Sequence, residues 1–231
     1  MRQHIGVLGG TFDPVHRGHL RMAVELVECM QFDKLLLVPV GTPPHRNVPQ
    51  ASAAQRLAML RLAIRGKPRL VVDDRECRKA SVAYTFDTLA ELRAQRGAAC
   101  AISFCVGSDA FLGMHRWHRW RELPGLAHIV VMTRPGWDIP QDLGDLEAWR
   151  HRFCRDADEA QDVTGSAPQR LREAVSGRIV FPPLTPVDIS ATRVRRRVAG
   201  GQSPGLLVPG AVWRYIQRNA LYQCADSTDP A

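Results

Sequence analysis

The sequence predicts an α/β fold: a mostly parallel sheet flanked by helices on both faces, with a C-terminal helical segment. Two observations predict it. Short runs rich in Val, Ile and Leu alternate with segments of helical period, and those runs are apolar throughout instead of alternating apolar with polar. Strand–helix alternation of this length yields right-handed βαβ crossovers. Continuous apolarity is what a parallel strand covered on both faces requires.

The elements follow in order. "HIGVL" (4–8) is the first strand. Residues 18–31 then read as a helix, with Leu20, Val24 and Leu26–Val27 on one face. "KLLLVPV" (34–40) is the second strand. A helix over 52–65 follows, with Ser52 suited to the N-cap and Leu57, Leu60 and Ile64 as its apolar stripe. "RLVVD" (69–73) precedes a helix over 86–96 that carries Phe86, Leu89 and Leu92. "AISFCVG" (101–107), "AHIVVM" (127–132) and "GRIVF" (177–181) complete the strands. Residues 136–176 are polar and turn-rich, with one helix expected near Leu143–Phe153. They read as a surface excursion inside a single domain spanning 1–223. "PGAVWRYIQRNALY" (209–222) opens a helix after a proline and turns Val212, Tyr215 and Ile216 inward, and 224–231 is expected to fray.

Composition narrows the classes of function. The 231 residues are 45% hydrophobic, enough for an ordinary core. No apolar run reaches the roughly 18 residues of a membrane helix, and the glycine-broken start "MRQHIGVLGG" is unlike a signal peptide. The expectation is a cytoplasmic protein without a membrane partner. The six cysteines (Cys29, Cys77, Cys100, Cys105, Cys154, Cys224) include no C-x-x-C pair, so they read as reduced, and no metal-ligand spacing stands out. A net charge of +8 favours an anionic partner: nucleic acid, a membrane surface or a phosphorylated small molecule. Scattered arginines without a recognised binding motif argue against nucleic acid.

The stretch "VLGGTFDPVHRGHL" (7–20) joins the first strand to the first helix. In an open parallel sheet, ligands bind beyond the carboxyl ends of the strands. Gly9 and Gly10 let the backbone approach a ligand there, and the helix start offers N–H groups and a positive dipole end to an anion. His16 and His19, three apart, share a side and are expected to grip phosphate oxygens by charge-assisted hydrogen bonds. The blander alternative is a helix cap with two surface histidines. Neither a G-x-G-x-x-G nor a Walker sequence occurs.

"GGTFDPVHRGHL" resembles the signature of the Rossmann-like nucleotidylyltransferase superfamily, in which H-x-G-H marks the ATP phosphate site. "VGSDAF" (106–111) resembles the family's element near adenine and ribose, and "DISATRVRRRV" (188–198) the element that closes over the phosphates. "VPVGTPPHR" (38–46), "SVAYTFDTL" (81–89) and "MHRWHRW" (114–120) are similar to the bacterial nicotinate-nucleotide adenylyltransferases. The resemblance runs from Ile5 to Leu221. It implies AMP transfer from ATP to nicotinate mononucleotide, with Mg2+ held mainly by the ATP phosphates and no metal site of the protein's own. It assigns ATP to Gly9, Gly10, Thr11, Phe12, His16, His19, Gly107, Asp109, Ile189, Ser190, Thr192 and Arg195, with His16, His19 and Arg195 catalytic. It assigns the acceptor to His45, Arg46, Tyr84, Thr85, Asp109, Trp117, His118 and Arg134, and gives Asp13 a weaker claim. Trp117 is expected to stack on the pyridine, Trp120 to be core, and Arg193, Arg196 and Arg197 to be solvated.

Two positions depart from the family pattern: Val40 stands where relatives often carry asparagine, and His118 where tyrosine is common. Phosphopantetheine adenylyltransferases share the lead-in but typically carry threonine or serine where His16 stands. An enzyme preferring the nicotinamide nucleotide or another acceptor is the nearer alternative, and a non-enzymatic nucleic-acid-binding module the remote one.

Overall fold

The computed structural model describes residues 2–42, 48–79, 81–133, 140, 142–152, 167–182, 184–185 and 187–223. Six strands form one sheet: β1 (Gln3–Gly10), β2 (Lys34–Pro39), β3 (Leu70–Val72), β4 (Cys100–Gly107), β5 (His128–Met132) and β6 (Ile179–Val180). Their spatial order is β3-β2-β1-β4-β5-β6, and every pair is parallel. The order reverses between β1 and β4. Crossovers leave that gap open on both sides, so the carboxyl ends of these two strands frame a crevice.

Side chains alternate across the sheet and divide it into two cores. Leu35, Leu37, Cys105 and Val130 pack with helices α1 (Arg17–Cys29) and α2 (Ala53–Ala63) on one face. The same face receives Leu171 of α6 (Ala167–Glu173), Val194 of α7 (Ala191–Ala199) and Val212 of α8 (Gly210–Arg218). Leu36, Val38, Ile102, Phe104 and Ile129 pack on the other face with α3 (Thr85–Arg96), α4 (Ser108–Leu112) and α5 (Leu123–Leu126). With both faces covered, the uninterrupted apolar strands are explained. Cys100 and Cys105 are buried strand residues.

Several helix faces depart from the expected stripes. On α1 the buried residues are Gly18, Ala23, Leu26 and Val27, while Val24 is exposed and Leu20 half-buried. On α2 they are Arg56, Met59, Leu60 and Ala63, so the face is rotated and an arginine takes the place predicted for Leu57. On α3 Phe86, Leu89 and Leu92 are inward as expected. On α8 Val212 and Ile216 are buried and Tyr215 is half-buried.

Within 136–176, a 3-10 segment at Gly144–Arg152 stands where a helix was expected, followed by α6, which periodicity did not indicate. Leu143, Leu146 and Trp149 are buried, and the Trp149 ring packs 5.2 Å from that of Trp120. This part of the stretch therefore reaches into the core instead of only crossing the surface. Residues 153–166 and the tail 224–231 lie outside the described residues. Among those described, no helix is long and apolar enough to cross a membrane.

Candidate active site

The crevice holds two adjoining spaces. A cleft of about 1030 Å³ is lined by Gly9–Asp13, His16, Gly18, His19, Gly107–Asp109, Ile189–Thr192 and Arg195. A cavity of about 310 Å³ lies beside it, lined by Val38, Val40, Glu76, Tyr84, Thr85, Thr88, Trp117 and His118 among others. They share Leu8, Gly9, Gly10, Thr11, Gly107 and Met132. All twelve residues assigned to ATP thus line one cleft. Of those assigned to the acceptor, Tyr84, Thr85, Trp117 and His118 line the cavity and Asp109 the cleft. His45, Arg46 and Arg134 lie outside the described residues.

His16 and His19 cap α1 reciprocally. The His16 Nδ1 accepts from the His19 N–H, and the His19 Nδ1 from the His16 N–H, each at 3.3 Å. Two N–H groups that a helix start leaves unpaired are thereby satisfied. The rings stack with centroids 3.7 Å apart. Gly18 makes this possible, because a Cβ there would stand 3.0 Å from the His16 Nδ1 and 3.4 Å from the Ile189 Cβ. Phe12, buried and held at φ 50, sets its ring edge-on to His19 at 5.1 Å.

This burial sets the electrostatics. Loss of water lowers the His16 pKa to about 4; His19 is lowered to about 3 by burial and by its neighbour His16. Both rings are therefore neutral near pH 7. In the free site the rings are neutral donors, and the charge of any bond to a phosphate would come from the anion. With each Nδ1 accepting, the ring proton resides on Nε2, so each histidine keeps one neutral donor. The cap reading and the anion-site reading also cease to compete, since one ring nitrogen caps while the other remains available.

Arg195 supplies positive charge beside them. Its Nη1 donates to the Asp13 carbonyl at 2.6 Å and its Nη2 to the Thr192 hydroxyl at 3.4 Å. Ser190 is the N-cap of α7, its hydroxyl accepting from the Arg193 N–H at 3.2 Å. Arg193, Arg196 and Arg197 are exposed, and Arg197 turns to the Ser203 carbonyl. Asp13 is buried and accepts from the Gln50 and Ala51 N–H groups and from the Tyr222 hydroxyl, at 2.8, 3.1 and 2.7 Å. It braces the loop from behind. The Tyr222 pKa is raised by burial and by this carboxylate.

In the smaller cavity, half-buried Trp117 packs edge-on to Phe104, their centroids 6.1 Å apart, and His118 lies over Tyr84 at 4.6 Å. The Trp117 N–H is committed to the Met114 carbonyl at 2.9 Å. Of the two backbone donors expected at Trp117–His118, only that of His118 remains for a ligand. The start of α3 at Tyr84–Thr85 has no side-chain cap, so its first N–H groups keep their capacity for an anion. Asp109 makes no cap for α4. Sequence reasoning missed Glu76, a buried carboxyl on the cavity wall bonded by the Thr88 hydroxyl at 2.6 Å, and also Arg56 and Tyr222. Only Gly18, inside the histidine motif, carried a readable signal.

Comparison with known proteins gives a consistent result. The cytidylyltransferase-like family model matches residues 7–197. A probable nicotinate-nucleotide adenylyltransferase of Cellvibrio japonicus is 46% identical over 225 residues, covering 96% of this chain and all of the relative. One from Pseudomonas fluorescens is 45% identical, covering 96% and 99%. Among solved structures, Plasmodium falciparum nicotinic acid mononucleotide adenylyltransferase complexed with NaAD superposes with a TM-score of 0.67 at 14% identity, over 95% of this chain and 97% of that one. At that identity the likeness speaks for the fold.

Proposed function

The chain belongs to the cytidylyltransferase-like family and, within it, to the nicotinate-nucleotide adenylyltransferases, and from this premise we infer how its site works. The reaction transfers AMP from ATP to nicotinate mononucleotide. A 5′-phosphate oxygen of the acceptor bonds to the ATP α-phosphorus, the bond to the bridging oxygen breaks, and pyrophosphate leaves with the electron pair. The attacking group is already an anion, so no protein nucleophile is needed, and catalysis rests on alignment and charge stabilisation.

The observation that carries this reading is the pair of adjoining spaces sharing the Gly9–Thr11 wall. The larger would hold ATP, its phosphates against the histidine Nε2–H donors, the Ser190 and Thr192 hydroxyls and Arg195. The smaller would hold the pyridine against Trp117. Acceptor phosphate and ATP α-phosphate then meet at the shared glycines. Among the described residues no three His, Cys, Asp or Glu side chains converge on a metal position. Mg2+ carried by the nucleotide would supply charge neutralisation on the triphosphate.

The uncapped start of α3 favours the acid over the amide. A carboxylate accepts at both oxygens, whereas the amide would turn an NH2 toward N–H donors. The predicted preference for nicotinate over nicotinamide mononucleotide is at least about 10²-fold in kcat/KM, the scale of a mismatched buried hydrogen bond. Pyrophosphate release with ATP and each acceptor measures it. Comparable values would reassign the acceptor, and no release from either would refute adenylyl transfer.

A further inference from the structure

Among the described residues, Arg56 is the largest fully buried side chain, 1% exposed on the inner face of α2. A buried guanidinium is costly unless its donors are satisfied. Here all its described partners are main-chain carbonyl oxygens, not carboxylates: Thr11 at 2.8 Å, Gly41 at 3.1 Å and Ala51 at 3.3 Å. Three separate segments therefore converge on one planar group.

Each segment builds a different part of the crevice. Thr11 follows the β1 glycines and lines both spaces. Gly41 follows Val40 of the acceptor cavity, and a Cβ at Gly41 would stand 2.2 Å from the carbonyl oxygen of Glu76, on the same cavity wall. Ala51, with Gln50, donates to the Asp13 carboxylate, and Gln50 lines the ATP cleft. Arg56 itself lines neither space. It touches only the backs of the walls.

We propose that Arg56 is a positioning residue that registers the ATP cleft against the acceptor cavity by tying the Thr11, Gly41 and Ala51 carbonyls to one guanidinium. The proposal rests on the adenylyl-transfer reading. Each half-site has binding groups of its own, so loosening the fork should leave the separate affinities largely intact and spoil the alignment of the two phosphates. In-line transfer is sensitive to that alignment: a displacement of about 1 Å can cost about 10²-fold in rate. Lysine keeps the charge but not the rigid fork of donors, so it cannot hold three diverging carbonyls.

The test is steady-state kinetics of Arg56→Lys beside the unaltered protein, well below the melting temperature, with folding checked by circular dichroism. The expected result is a fall in kcat of about 10²-fold with both KM values little changed. Arg56→Ala should recover part of its turnover on addition of guanidinium ion at concentrations that do not unfold it. An unchanged kcat in folded Arg56→Lys would overturn the proposal, as would a defect confined to one KM. Failure of both variants to fold would assign the residue to stability alone and overturn it too. Activity of the unaltered protein tests the adenylyl-transfer reading separately.

Discussion

At the scale of single residues, the histidine pair ties local structure to chemistry. Each ring caps the other's backbone, which fixes both tautomers before any ligand arrives. Removing one ring costs a cap, typically about 1 kcal/mol, and also frees its partner to turn. His16→Ala and His19→Ala should therefore each fold yet lose about 10²-fold in kcat, the scale of a lost transition-state donor. Because both pKa values lie well below neutrality, turnover should not decline between roughly pH 6.5 and 8.5, measured under saturating substrates. A descending limb centred near the ordinary histidine pKa would mean that imidazolium is required. The motif was legible in sequence, but its charge state was not. Neutrality comes from burial, partly under Phe12, whose left-handed backbone no periodicity reveals.

At the scale of elements, α7 separates specific from generic arginines. It presents Arg195 to the loop after β1, while Arg197 turns to the Ser203 carbonyl. Arg195→Ala should raise the KM for ATP and slow turnover, together at least about tenfold in kcat/KM, the scale of one charged hydrogen bond. Arg197→Ala should leave kinetics close to normal. Equal defects in the two variants would point to a diffuse basic field. The strands were readable because burial on both faces writes an unbroken apolar run. Helix faces were less so. Ala23 goes inward in place of Val24, and Arg56 in place of Leu57. A charged residue satisfied by distant carbonyls looks, in sequence, like an exposed one.

At the scale of the whole molecule, buried neutral histidines make stability depend on acid. Besides His16 and His19, the fully buried His4 and His128 lie at the opposite end of the strands, with His4 bonded to Ser103 at 2.8 Å. Burial, with smaller contributions from neighbouring charges, lowers their pKa values to about 3 and about 4. A histidine that resists protonation when folded favours unfolding in acid, so its contribution is complete above pH 6.5 and lost as pH falls toward 4. Each such group should cost about 1.4 kcal/mol per pH unit below 6.5. Urea unfolding at a series of pH values measures this, and His4→Gln should flatten the slope without touching the crevice. An unchanged slope would locate acid sensitivity elsewhere. The α/β class was evident from alternation, but the strand order that puts two histidines in one sheet depends on pairing across the chain.

The hydrogen bond from Tyr222 to Asp13 joins residues 209 positions apart. Synthesis proceeds from the amino end, so the loop bearing Asp13 leaves the ribosome long before its partner exists. The six strands can pair while that loop still lacks its rear support. Only when the residues after α8 dock does Asp13 acquire its last donor. Maturation of the crevice thus waits on the residues after α8, and a nascent chain halted before Tyr222 would own the scaffold but not the finished wall of the larger cleft.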